Sequence, residues 1–237
     1  GNEGIINVDS GVSVTLGNKI LGNNNSSILH KVGTGTLILT GESGVNDQPG
    51  HFVSHTVVTE GTLQVNRVES IAGGGVHVAN QGTLVFNSNI LGVGEIFQPG
   101  GGFGENYTGI LSGDGTLIKD GTGAVTFSTV NSYSGTVRVK SGILGALSRS
   151  LGQASQFLID RNAQLALTSD SVTGTFSGDI SGEGQLYVSS TYGGRTIILT
   201  GTGTHTGGTV IKETNTLRAG SATALSRTSY TINGVLD

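Results

Sequence analysis

Apolar residues alternate with polar ones along short stretches of the chain: Val12, Val14, Leu16; Leu37, Leu39; Val76, Val78; Leu84, Phe86; Val137, Val139; Leu165, Leu167. A period of two places successive side chains on opposite faces, so each stretch predicts a strand with one buried face. Gly, Asn, Asp and Ser interrupt these stretches every few residues, leaving no room for the helices that a βαβ crossover requires. Many short strands without helices fit a sandwich, a propeller or a β-solenoid.

Internal repetition narrows the choice. GTGTLILTG (33 to 41), GTGAVTFS (121 to 128) and GGRTIILTG (193 to 201) each precede a second strand-like stretch: HTVVTEGTL (55 to 63), GTVRVKSGIL (135 to 144) and GTVIKETNTL (208 to 217). A third stretch follows each time, and the order never changes. The similar stretches recur at roughly 20 to 25 residues, the size of a solenoid coil rather than of a propeller blade. The chain is therefore expected to be all-β, a single-stranded parallel β-helix of about ten coils with side loops, its inward residues forming columns. The repeat units run 1–29 (partial), 30–109, 110–179 and 180–237 (partial), all within one β-helix segment.

Two local expectations follow from aligning the units. The Gly before each closing Leu fits a positive-φ turn, at Gly61 and Gly142, with Asn215 taking that place in the third unit. Lys212 falls opposite inward Val139, which predicts a bulge near Ile211 that turns Lys212 outward.

Composition agrees with a folded β protein. Of 237 residues 42 are Gly and two are Pro, and Cys, Met and Trp are absent. Charged residues make up 12% of the chain, so the solvent face is neutral and polar, built of Thr, Ser and Asn. A net charge of −4 offers no footprint for nucleic acid, which needs clustered Lys and Arg. No apolar run reaches the ~18 residues of a membrane-spanning helix. Without Cys there are no disulfides and no Cys-based metal site.

Residues 112 to 144 read G-x-G-x-L-x-K (Gly113 to Lys119), then G-T-G-x-V (Gly121 to Val125), a short polar loop, S-G-x-V (Ser134 to Val137) and a closing G-x-L (Gly142 to Leu144). This pattern resembles the passenger-associated transport repeat of bacterial autotransporters. Unit one keeps the lysine as Lys31, whereas unit three has Val188 and Ser189 there. The resemblance implies a right-handed β-helix at the surface of a Gram-negative bacterium, or released from it. It also implies passage through the periplasm and export by a C-terminal β-barrel, which leaves this chain as a segment of a larger passenger. The lack of Cys suits a chain that crosses an oxidising compartment unfolded. The segment is similar to those of self-associating and diffuse-adherence adhesins.

Candidate chemistry is sparse. No G-x-S-x-G or G-D-S-G nucleophile motif occurs. Asp114 with Asp120, and Asp179 with Glu183, are the places for a carbohydrate-active acid pair, but all four sit in recurrent Gly-rich turns where acids bond to nearby backbone. His51 and His55, with Asp47 or Glu60, form a conceivable metal set. The stronger expectation is an exposed strand edge, with no metal and no cofactor.

Unit one alone carries two insertions, 42 to 54 and 88 to 104, each with Gln-Pro-Gly. Solenoid insertions leave the rod as loops and often bind partners. His51, Phe52, Phe97, Phe103 and Tyr107 are the candidate contact residues, the alternative being that the aromatics fold back as a cap. The expected function is non-enzymatic adhesion to a host-cell receptor or matrix component, or self-association. A released effector that stimulates a host receptor is the alternative reading, and a carbohydrate-active enzyme a weaker one.

Overall fold

The structure, a computed structural model, describes residues 3–17, 20, 27–41, 55–71, 74–90, 104–151, 153–190 and 193–237. Its described residues form 23 strands and one 3₁₀ turn, Val68–Ile71. Every strand pairing is parallel, and the chain climbs as a β-solenoid of about 9 turns. The number of turns is close to the ten expected from repeat length.

Parallel stacks of strands make the walls. The first stack runs through Glu3–Asn7, Ile28–Val32, the start of His55–Val65, the start of Gly75–Asn87, Leu111–Gly113 and Ser132–Tyr133. The second runs from Ser13–Leu16 through Thr36–Leu39, the ends of His55–Val65 and Gly75–Asn87, Thr116–Asp120, Thr136–Val139 and Gln156–Ile159 to Asp179–Gly182. A third stack extends from Glu105–Tyr107 to Tyr230–Ile232, and a fourth from Thr173–Phe176 to Val235–Leu236.

In-register stacking turns the sequence alternation into columns. On the inner face of the second stack Val14, Leu37, Leu63, Leu84, Leu117, Val137, Phe157 and Ile180 follow one another rung by rung. Leu37 to Leu117 in this column are fully buried. Each such side chain removed from water contributes about 1.5 to 3 kcal/mol, and the columns run the length of the rod. The outer face of the same wall carries Ser13, Thr36, Thr62, Thr83, Thr116 and Thr136 in line, which accounts for the repeated Gly-Thr-Leu of the sequence. Val12 is an exception to the inward reading: it is 46% exposed, because it closes the turn after Val8 and only its backbone enters the ladder.

Corners between stacks use left-handed backbone. Gly61 (φ 66°) and Gly142 (φ 67°) are such positions, as expected, and a Cβ there would collide with the carbonyls of Gly33 and Gly123 one rung below. In unit three the left-handed residue is Thr214 (φ 64°), not Asn215. Asn215 is buried instead, and its side-chain amide donates to the carbonyl of Glu213 at 2.9 Å, closing the turn from inside.

The bulge expected near Ile211 is also absent. The described register shift lies between Val58 and Glu60, whereas Thr209–Ile211 pairs regularly on both sides. The aligned strand of unit three stands on a different wall: Thr209–Ile211 belongs to the third stack, whereas Thr136–Val139 belongs to the second. Thr209 stacks on Leu186 and Ile211 on Val188, so these two point inward while Lys212 follows the end of the strand.

Candidate functional site

Of the five contact residues expected from the sequence, His51, Phe52, Phe97 and Phe103 lie outside the described residues, as does Asp47. Tyr107 is described, and it is not a surface anchor. It is 2% exposed, on the strand Glu105–Tyr107, and pairs in register with Phe127. Phe86, Tyr107 and Phe127 form a three-ring cluster with centroids 5.4 to 5.6 Å apart. Burial pushes the Tyr107 phenol well above its ordinary pKa. The inward phase of Phe127 calls for an apolar neighbour on the next strand, and Tyr107 meets that need.

Asp120, Asp179 and Glu183 are engaged one by one rather than paired with each other. Asp120 accepts from Lys140 Nζ at 2.8 Å, from Ser141 Oγ at 2.8 Å and from the Gly121 N–H at 2.9 Å. Partial burial raises its pKa, but these hydrogen bonds outweigh that and hold it down to about 2. Asp179 accepts the Thr202 N–H at 2.6 Å, and Glu183 pairs with Arg161 at 2.8 Å. With the Arg138 to Asp160 pair, these contacts link successive rungs along the outside of the rod. Glu60 accepts the Gly33 N–H at 2.9 Å. Among the described residues no three His, Asp or Glu side chains converge as metal ligands.

The most developed polar geometry belongs to the two motif lysines. Lys31 is fully buried and Lys119 is 1% exposed, each in the inward phase of its strand. Lys31 Nζ donates to the carbonyls of Val32 at 3.0 Å, Gly33 at 2.5 Å and Glu60 at 3.2 Å. Lys119 Nζ repeats the arrangement at the next corner of the rod, donating to Asp120 O at 2.6 Å, Gly121 O at 2.9 Å and Ser141 O at 3.3 Å. In both, two acceptors belong to the lysine's own turn, and the third directly precedes the left-handed Gly of the following rung, Gly61 or Gly142. Each ammonium therefore ties two successive corners together.

Burial is the dominant influence on these charges. It lowers Lys31, against the pull of Glu60, and takes Lys119 down to about 8, against Asp120 and Glu105. Three backbone acceptors compensate an ammonium that has lost its water. Glu105, inward beside Val125 and Ser88, is held above the usual carboxylate range by burial, although its Oε1 accepts the Val68 N–H at 3.1 Å. The period-two phase itself could have revealed the lysines, since an inward Leu29 or Leu117 places Lys31 or Lys119 inward too.

A second buried polar group accompanies the phase shift in unit three. His205 is 2% exposed, with Nε2 at 2.8 Å from Thr209 Oγ1 and 3.2 Å from Ser226 Oγ. It supplies the inward Thr209 hydroxyl with a partner. Burial takes the His205 imidazole down to about 4.

Comparison with known proteins agrees with the stacked repeats. A family described as the passenger-associated-transport-repeat matches residues 29–65 and 117–146, the segments that carry Lys31 and Lys119. The chain is similar to the adhesin BmaC autotransporter of Brucella suis biovar 1 (strain 1330), at 29% identity over 61% of this chain and 5% of that protein. It thus spans a small fraction of its relative's length. No solved structure matches the chain. Relatives of this kind imply a cell-surface or secreted location in a Gram-negative bacterium. Transport repeats stacked as rungs of a parallel β-solenoid, together with similarity to an autotransporter adhesin, support an autotransporter passenger domain.

Proposed function

We propose that this passenger segment is a non-enzymatic adhesion module, attaching the bacterium to a host-cell receptor or matrix component, or to another copy of the same passenger. The observation that carries this reading is the similarity to an autotransporter adhesin. It is supported by the outer wall, where Thr36, Thr62, Thr83, Thr116 and Thr136 form a neutral hydroxyl ladder rather than a cleft with convergent acids. In this reading the β-solenoid provides a stiff rod, and the insertions 42–54 and 91–103 provide recognition.

Register on either side of the second insertion supports that division of labour. Thr83 pairs with Thr116, although the 91–103 segment lies between them, as regularly as Thr116 pairs with Thr136. The ladder continues from Thr83–Asn87 to Thr116–Asp120 without a shift. Ile90 marks its near boundary, since its carbonyl accepts the Ala124 N–H at 3.0 Å.

The test is attachment by the displayed passenger after deletion of residues 91–103, and separately with Phe97→Ser and Phe103→Ser. Weakened attachment with an unchanged β spectrum and thermal midpoint is expected. Unchanged attachment by folded variants would remove the loop from the proposal. Polysaccharide turnover by the purified chain, abolished by Asp114→Ala or Asp179→Ala, would overturn the non-enzymatic reading.

A further inference from the structure

Three of the five histidines fall on one outer face of the first stack. His30 stands opposite Ile5 and Val57, His55 opposite Ile28 and Gly75, and His77 opposite Val57 and Ser112. His55 is thus the diagonal neighbour of both others, a placement that lets large side chains on adjacent strands touch. Its ring lies over Gly75: a Cβ there would sit 3.0 Å from His55 Nδ1 and 3.2 Å from Cε1. Gly75 makes the room that the imidazole fills.

His77 Nδ1 is 3.1 Å from Ser112 Oγ. His30 Nε2 is shielded from solvent without a hydrogen bond and faces Glu3 Oε2 at 3.9 Å. His55 is held below its ordinary pKa by burial first, then by His77 and His30. The charged groups on the elements packed here are few. Glu3 comes from the preceding strand. Lys31 lies on the inner face of His30's own strand, and Glu60 at the following corner is engaged by Gly33. Gly75–Asn87 carries no acid, and the strand Leu111–Gly113 brings Ser112, with Asp114 just beyond it. Among the described residues of these elements, the carboxylate seen beside a ring is that of Glu3, next to His30.

We propose that His30, His55 and His77 form an acid-responsive latch, which holds the first-stack rungs together when the imidazoles are neutral and loosens them when they become charged. Protonation places like charges on diagonal neighbours of one wall, and repulsion between such neighbours is destabilising. The change is local, because the inner columns and the Lys119 corner on the later rungs contain none of these rings. It goes beyond the adhesive reading and does not depend on it.

The test is amide hydrogen exchange on the full chain at about pH 7.4 and about pH 5, corrected for intrinsic rates, with residues 136–139 as the internal reference. Protection of residues 28–32, 55–58 and 75–78 is expected to fall about ten-fold or more at the lower pH relative to that reference. The fall should disappear in the double variant His55→Gln, His77→Gln. Unchanged relative protection in the parent chain, or an equal fall in the variant, would overturn the latch. If the double variant does not fold, His30→Gln serves, read by imidazole titration: the His55 midpoint should rise, and an unmoved midpoint would count against the coupling. No bacterial attachment enters either measurement, so failure here is distinct from failure of the adhesive reading.

Discussion

The ammonium of Lys119 donates to the carbonyl of Ser141, a residue one rung further along the rod, at 3.3 Å. Lys31 does the same for Glu60 at 3.2 Å. A strand ladder fixes neighbouring rungs through regular backbone pairs, but corners break that ladder and leave carbonyls without partners. A buried cation at the corner satisfies several at once, and this gives the motif lysine a reason that composition alone does not supply.

Replacing Lys119 with Met keeps the stem and deletes the donors. Three part-buried carbonyls then lose a partner, and a loss of about 2 to 3 kcal/mol is expected in urea unfolding. Lys140→Ala, which removes an exposed ion pair with Asp120, should cost less than about 1 kcal/mol. Equal losses would show that the corner geometry contributes nothing special.

Leu37, Leu165 and Leu199 are buried column residues on three different walls. Substitution of any one by Ala should cost roughly 2 to 5 kcal/mol, the range for a core cavity. Thr116→Ala on the outer wall should stay within about 0.5 kcal/mol. Chemical denaturation of the four variants separates inward from outward positions.

The place of this strand in the third stack, with Thr209 and Ile211 inward, predicts an asymmetry between neighbours. Ile211→Asp buries a charge and should prevent the last rungs from folding, whereas Val210→Asp, on the other face, should cost about 1 kcal/mol or less. The reverse order, read by proteolysis or hydrogen exchange of residues 209–237, would restore the phase read from the repeat alignment.

His205 makes stability depend on acid. Its folded pKa, about 4, lies below that of an ordinary imidazole, so the unfolded chain binds the proton more readily. The stabilisation is present above about pH 6.5 and is lost as the pH falls through 4, by about 3 kcal/mol in total. Urea midpoints across that window should decline in the parent chain and decline less in His205→Gln. Parallel slopes would place the titration elsewhere.

Much of this architecture is legible in the sequence, because a solenoid repeats its local rules. Leu84 and Phe86, Val137 and Val139, Leu165 and Leu167 are inward as their alternation requires, and the left-handed corners fall at Gly61 and Gly142. What was hidden depends on contacts between rungs. Tyr107 follows a loop-like, Gly-rich segment, yet register with Phe127 draws it inside. Lys31 and Lys119 look like surface residues until their acceptors, contributed by the next rung, are known. Thr209 was aligned with an outward residue, and the pairing partner Leu186 that reverses its phase lies well upstream. The insertions differ in kind: their residue types mark them as unlike the scaffold, but no repeat rule assigns them a partner.

The central claim is that consecutive rungs stack in parallel and in register, Thr83 on Thr116 as Thr116 on Thr136. The chain has no Cys, so paired substitutions give a clean readout. Oxidative crosslinking of Thr83→Cys with Thr116→Cys should proceed as readily as that of Thr116→Cys with Thr136→Cys, since both pairs are direct neighbours about 4.8 Å apart. Thr83→Cys with Thr136→Cys, two rungs and about 10 Å apart, should not form the disulfide. Efficient bonding of that last pair, or none between Thr83→Cys and Thr116→Cys, would contradict the stacked register.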